Sequence, residues 1–385
     1  MRPVPLFGVV NRVQGGTRVV RRRSLLLASS AAGLAVGGAV VYGVRAGAES
    51  ADAGDGSRGG GSGERMPVQL RGVRPGGRVV MVALDRGARE GEVRAVLREL
   101  VAGLRAVERA GLAVGVGLGA GAFEGGGSRP GQLVDMPSFP GDLLDPARSH
   151  GDVLVQVAGD RVADVRAAVA RLLTAVPGWR ERWRIEGFRA ENREEGGRGL
   201  ARNPFHFTEG FGNPAGDRET ADRALVRAGQ GEPEWAVGGS YQVVRVIRLA
   251  TELWDKDSVP EQERIIGRRR DGRWLDGAPT DEEPNFAADP KGRLTPLDSH
   301  VRLAAPDRRD PPPLVRRSYS YDRGDGDSGL VFSCFQRDLA KGFEAVQKRL
   351  AGESMAKYLL TTGGGYYFVP PPGDHWADGL LPASG

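Results

Sequence analysis

At 385 residues and 40% hydrophobic content, the chain can bury a sizeable core and has room for two domains of roughly 150 residues each. Its net charge of +5 is small for this length, and the basic residues are interleaved with acidic ones, which argues against a nucleic-acid-binding stripe. Cys334 is the sole cysteine, so an intramolecular disulfide framework and a cysteine-cluster metal site are both excluded.

Arg21-Arg22-Arg23-Ser24-Leu25-Leu26 precedes an uncharged run from Leu25 to Tyr42, and Ala46-Gly47-Ala48 follows. Basic, apolar and small-residue segments in that order make a secretory signal, and the adjacent arginines resemble a twin-arginine signal. Residues 1–48 are therefore expected to direct export, with cleavage near Ala48. A single membrane anchor is the alternative, because the run just reaches the ~18 residues a span requires. From Ser50 to about Arg65 the chain is rich in Gly and Ser without apolar patterning, and residues 49–76 are read as a disordered linker.

Val79 to Leu84 suits a strand. Val93, Val96, Leu97, Leu100, Val101, Leu104 and Val107 then mark one face of an amphipathic helix. Leu112, Val114, Val116 and Leu118 alternate with small residues as a half-buried strand. Asp152 to Ala158 is a third strand, Val162, Val165, Val169 and Leu172 form the inward face of a second helix, and Trp183 to Phe188 is a fourth strand. The order βαββαβ is the ferredoxin-like unit, with two helices on one face of an antiparallel sheet.

The second half reads similarly. Ser240 to Leu249 and Leu330 to Gln336 are strands, Glu261 to Gly267 is a short helix, and Gly365 to Val369 is a final strand before Pro370. Asp338 is placed to cap a helix whose inward face is Leu339, Phe343, Val346 and Leu350. The expected fold class is α+β, with two ferredoxin-like domains at 77–195 and 196–385 and a loop boundary near Glu191 to Ala201.

Two stretches carry candidate chemistry. In Arg202-Asn-Pro-Phe-His-Phe-Thr-Glu-Gly-Phe-Gly-Asn-Pro214, Glu209 sits among aromatics, where an apolar setting disfavours the charged carboxylate and suits a general acid or base. A surface turn accounts for the same residues. His206 and Glu209 lack a third ligand at a useful spacing for a metal site. In Leu297 to Tyr321, His300 stands before the pair Arg316 and Arg317, across a proline-bounded loop. Taken alone, one histidine is equally a packed or solvated side chain.

Taken together, these blocks resemble the dye-decolourising peroxidases, a haem family. The Arg202 to Pro214 segment is similar to the family's distal Gly-Phe-x-Asp-Gly signature followed by Asn-Pro. Phe139 to Arg148, Glu232 to Arg245, Ser299 to Ala304, Leu314 to Arg323, Gly329 to Leu339 and Gly363 to Pro370 match in the same order, so that the resemblance runs from about Val79 to Pro371. It is closest to the branch exported by the twin-arginine route.

This resemblance implies a dimeric α+β barrel type of fold, with one haem b held mainly by the C-terminal domain. It implies a peroxidase that reduces hydrogen peroxide and oxidises an organic substrate through a ferryl species. His300 stands at the proximal iron ligand, with Asp338 as a candidate hydrogen-bond partner. Arg316 stands at the distal arginine, which orients peroxide and stabilises developing charge, while Arg317 is structural. Phe207, Arg302 and Phe332 are expected to contact the haem. Glu209 replaces the family's distal aspartate, and His206 replaces a glycine, as a second distal acid or base or as a surface residue. Trp235, Tyr319, Tyr321, Tyr366 and Tyr367 are candidate electron relays. Expected partners are a small-molecule reductant and the twin-arginine export machinery, with no nucleic acid, at most transient membrane contact unless the signal stays uncleaved, and a possible oligomer. Haem carriage or iron release, and oxidative tailoring of a small molecule, are the alternatives.

Overall fold

The computed structural model describes residues 67–379 except 73–75, 88–92, 109–110, 125, 191–201, 215, 281, 283–284, 308–311 and 374. The expected signal segment and the boundary at Glu191 to Ala201 lie outside the described residues. The expected linker ends earlier than residue 76, because Val68–Leu70 is a 3-10 turn with Leu70 fully buried. The same turn is tied to the body by Gln69, whose Nε2 donates to the Val116 carbonyl at 3.0 Å.

In the first half, β1 (Arg78–Arg86), α1 (Val93–Val107), β2 (Leu112–Leu118), β3 (Val153–Gly159), α2 (Val162–Ala175) and β4 (Trp179–Phe188) follow in the expected order. The strands lie as β2-β3-β1-β4, each pair antiparallel. Period-two alternation divides β1 between two cores. Val80, Val82 and Leu84 meet Val96, Leu97 and Leu100 of α1 and Val165, Val169 and Leu172 of α2, while Val79, Met81 and Ala83 face the other way. Each fully buried Val or Leu contributes about 1.5–3 kcal/mol to this layer. Val162 departs from expectation: it begins α2 on the exposed side, at 38% exposure.

The second half repeats the plan with longer connections. It comprises α3 (Asp217–Ala224), β5 (Ser240–Leu249), α4 (Thr251–Trp254), α5 (Val259–Ile266), α6 (His300–Ala304), β6 (Val315–Arg316), β7 (Tyr319–Asp322), β8 (Ser328–Gln336), α7 (Ala345–Leu350) and β9 (Leu359–Val369). A π-helical turn, Ala340–Glu344, leads into α7. The sheet runs β9-β5-β8-β7, with β6 added on β8. Counted within its own half this is the order of the first sheet, so both halves are ferredoxin-like.

The two sheets also join. Leu118 pairs with Phe368 at one edge and Phe188 with Ser320 at the other, which closes the strands into a ring. Its interior is filled from both halves by Val79, Met81, Leu154, Trp183, Ile185, Val244, Val246, Tyr319, Val331 and Tyr367. Closure removes exposed strand edges, a recurrent liability of open sheets. Among the described residues no helix is long and apolar enough to cross a membrane.

Candidate active site

Outside the ring, on the face of the second sheet where the first half carries its helices, lies a cavity of about 420 Å³. Its floor is one parity of three strands: Arg245, Ile247 and Leu249 from β5, Leu330 and Phe332 from β8, Leu359 and Thr361 from β9. The opposite parity, Val244, Val246 and Val331, fills the ring. The walls come from the 203–213 loop, the α5–α6 region and the π turn with α7.

His300 opens α6 and lines this cavity. Its Nδ1 lies 2.8 Å from Glu353 Oε2, on a carboxylate that is 4% exposed. With Nδ1 engaged, Nε2 is the ring nitrogen available for ligation, and the carboxylate makes the imidazole a stronger electron donor. Several contacts fix this couple. Ser354 Oγ donates to Asp298 Oδ2 at 3.0 Å, and Arg349 of α7 donates to the last carbonyls of α6, Leu303 O at 2.9 Å and Ala304 O at 2.8 Å. Gly267 ends α5 at φ +90°, and a Cβ there would stand 2.6 Å from Val301, so glycine lets α5 turn tightly against α6.

Asp338 is therefore not the partner of His300. Its Oδ1 accepts from the Lys341 backbone N–H at 3.0 Å, capping the turn that follows, as its local position favours. Arg302 is likewise not a lining residue. It is buried two residues beyond His300, where Nη1 donates to Thr295 O at 2.7 Å and Nη2 to Asp289 O at 2.7 Å, which folds the 286–302 segment onto itself.

The opposing groups come from the 202–214 loop and β6. Glu209, Arg316, Phe207 and Phe332 all line the cavity. Asn213 holds Arg316 by its backbone: Oδ1 accepts from Arg316 N at 2.9 Å, and Nδ2 donates to Arg316 O at 3.2 Å. The Arg316 guanidinium donates to the Phe211 carbonyl. Phe211 in turn rests against Gly272, where a Cβ would fall 2.1 Å from its ring, and against the Arg268 guanidinium at 5.0 Å. Burial pushes the Glu209 carboxyl up from the ordinary glutamate range, opposed by the positive charges of Arg189 and Arg316.

His206 does not enter the cavity. At φ +71° it turns outward, and Nε2 meets Asp255 at 2.9 Å with both side chains about half exposed (44% and 51%). Its neighbours Phe205 and Phe207 are both buried, so the solvent side of this turn falls to His206. Arg317 is structural, with Nε on the Leu70 and Arg71 carbonyls at 2.9 Å. Of the five relay candidates none lines the cavity, and Tyr319, Tyr321, Tyr366 and Tyr367 are buried, which is unsuited to a surface relay.

Glu353, Arg189 and the Arg245–Asp142 pair line the cavity without having been singled out from the sequence, as do Arg268 and Arg269. Arg245 and Asp142 form an ion pair with side chains 5% and 3% exposed. Arg245 is sandwiched between the rings of Phe139 and Phe343, at 5.2 and 5.7 Å. The signal for Asp142 lay in the Phe139 to Arg148 block, which carries a first-half segment into the second-half cavity. Among the described residues, five arginines (189, 245, 268, 269 and 316) and three carboxylates (Asp142, Glu209 and Glu353) line the cavity. A net positive, largely apolar cleft with one histidine nitrogen available fits a flat apolar ligand bearing carboxylates and a ligatable iron. Haem is such a ligand.

Comparison with known proteins agrees with this chemistry. The family model described as Dyp-type peroxidase, N-terminal, matches residues 78–189, and that described as Dyp-type peroxidase, C-terminal, matches residues 200–374. The deferrochelatase of Escherichia coli (strain K12) is 37% identical over 246 residues, 61% of this chain and 58% of that protein. The chain thus spans under two thirds of the length of the curated relatives it matches. A DyP-type peroxidase from Streptomyces coelicolor superposes with a TM-score of 0.69 at 32% identity, covering 76% of this chain and 88% of that one. Ferric DtpA from Streptomyces lividans superposes with a TM-score of 0.68 at 32% identity, covering 77% and 89%.

Proposed function

The chain belongs to the Dyp-type peroxidase family, and on that premise we propose that it is a haem-dependent peroxidase that reduces hydrogen peroxide and oxidises an organic substrate. The observation that carries the reading is the His300–Glu353 couple on the cavity that also exposes Glu209 and Arg316. His300 Nε2 would hold the iron, and the apolar floor of Ile247, Leu249, Leu330 and Phe332 would take the ring. When bound, haem would supply a redox-active centre that gives two electrons to peroxide and regains them singly from the organic substrate.

The protein's own part is placement and proton handling. Glu209, doing the work the family gives to an aspartate, takes the proton of incoming peroxide on a carboxylate oxygen and returns it to the departing oxygen as water forms. Arg316, fixed by Asn213 and the Phe211 carbonyl, presents a permanent cation to the charge that develops as the O–O bond breaks. Because burial raises the Glu209 carboxyl, its base form is lost at a higher pH than an exposed glutamate's, and the rate falls as pH drops through that point.

The kinship with deferrochelatases favours a second reading, haem binding with release of iron. Mixing the haem-loaded protein with peroxide separates the two. Rapid peroxide consumption with the porphyrin intact supports the peroxidase, whereas iron-free porphyrin fluorescence without peroxide turnover would replace it. Export by the twin-arginine route is proposed from the Arg21 to Ala48 segment alone. A reporter fused behind that segment should leave the cytoplasm, and should stay there when Arg21, Arg22 and Arg23 are changed to Lys.

A further inference from the structure

Glu209 meets two cations, and one of them is supplied by the other half of the chain. Arg189 directly follows β4, with its backbone fixed on both sides: its N–H donates to Gly77 O, and its carbonyl accepts from Gly76 N, each at 2.9 Å. The preceding residue, Phe188, makes the pairing to Ser320 that joins the two sheets. Across this seam the Arg189 guanidinium donates from Nη1 to Ser318 O at 3.2 Å, and Nη2 stands 3.2 Å from Glu209 Oε2. The two side chains are 13% and 19% exposed, which screens the pair less than a surface ion pair.

We propose that Arg189 is a positioning residue for Glu209: it anchors the carboxylate to the seam between the halves and sets how readily that carboxylate takes a proton. This rests on the reading of Glu209 as the proton acceptor given above. The two arginines divide the work. Arg316 is held by the 202–214 loop and faces the reaction, whereas Arg189 is held by the first sheet and faces the carboxylate. A purely structural arginine would be satisfied by the Ser318 carbonyl. Here the second arm of the fork is spent on a group that lines the cavity. Of the cations opposing the effect of burial on Glu209, Arg189 is the stronger. The other charged groups around the cavity are Arg268, Arg269, the Arg245–Asp142 pair and the His300–Glu353 couple.

Isotope-edited infrared titration of the full chain, labelled with 13C-glutamate and measured with and without haem, tests this. The Glu209 band is the one that disappears in Glu209→Gln. In Arg189→Met its protonation midpoint should move up by about one pH unit or more, and in Arg189→Lys by clearly less, because an opposite charge at this range lowers a carboxyl pKa by about 1–3 units. The acid limb of the peroxide rate in the haem-loaded protein should move up with it. A midpoint unchanged in a folded Arg189→Met would overturn the proposal. Should that variant fail to fold, Arg189→Gln takes the same test, and a Lys variant shifted as far as the neutral ones also overturns it. The band reports on Glu209 whether or not peroxide is consumed, so loss of the peroxidase reading and loss of this one are separately visible.

Discussion

The two ferredoxin-like units share a strand order and differ in what covers the outer face of each sheet. In the first, the β1-to-β2 connection is essentially one helix, α1, which packs with α2 over Val80, Val82 and Leu84 and leaves a sealed apolar layer. In the second, the equivalent connection between β5 and β7 runs through three short helices and brings His300 to the sheet instead of a covering helix. The α2 equivalent is the π turn with α7, whose Phe343, Val346, Gln347 and Leu350 form a wall, and the turn after it supplies Glu353. One topology thus makes a plain core where its helical connections are short and regular, and a cleft where they are long and broken. The first unit is not idle in the second: Asp142 and Arg189 reach across to the cavity.

Replacing Glu209 by Gln should have the largest effect on this asymmetry, slowing the reaction with peroxide by about 10²–10⁴-fold, as expected for loss of a positioned acid–base group. Rapid mixing over a pH series checks it: the acid limb should vanish with the carboxyl, and a limb that persists would assign it to another group. Asp142→Asn leaves the Arg245 cation buried without its counter-charge, which should cost about 3–5 kcal/mol by chemical denaturation. A loss near zero would mean that the first-half segment rests on the cavity without supporting it. Glu353→Gln should weaken haem affinity by about 10–100-fold, measured by haem transfer to an acceptor protein, because it removes the anionic partner of the ligand imidazole. His206→Asn, which keeps a residue tolerant of φ > 0, should leave the peroxide rate within about twofold and stability within about 0.5 kcal/mol, since His206 faces solvent.

The first unit was readable from the sequence because its strands alternate and its helices are periodic, so local pattern and tertiary burial agree. In the second, β5, β8 and β9 were legible for the same reason. The segments α6, β6 and β7 were not, being too short to show a period and held by contacts distant in sequence. His300 became recognisable only through resemblance, with nothing in its own neighbours to distinguish it. The resemblance offered Asp338 as its partner, but Asp338 fills only the local role of capping the turn it begins. Glu353 sits in a turn without any pattern, and its partner is far away along the chain. For His206 the motif allows a distal or a surface place, and the side chain takes the surface one, against Asp255. Arg189 follows an ordinary strand, and it is the closure of the two sheets, invisible to any local reading, that gives its guanidinium Ser318 and Glu209.

In the proposed reading His300, backed by Glu353, anchors haem in the second-unit cleft. Haem titration of the wild-type chain and of His300→Ala, each followed by gel filtration and absorption spectroscopy, tests it most directly. The wild type should retain haem with a sharpened Soret band, and His300→Ala, still folded by circular dichroism, should elute without it. Equal haem retention with an unchanged spectrum in His300→Ala would contradict this reading.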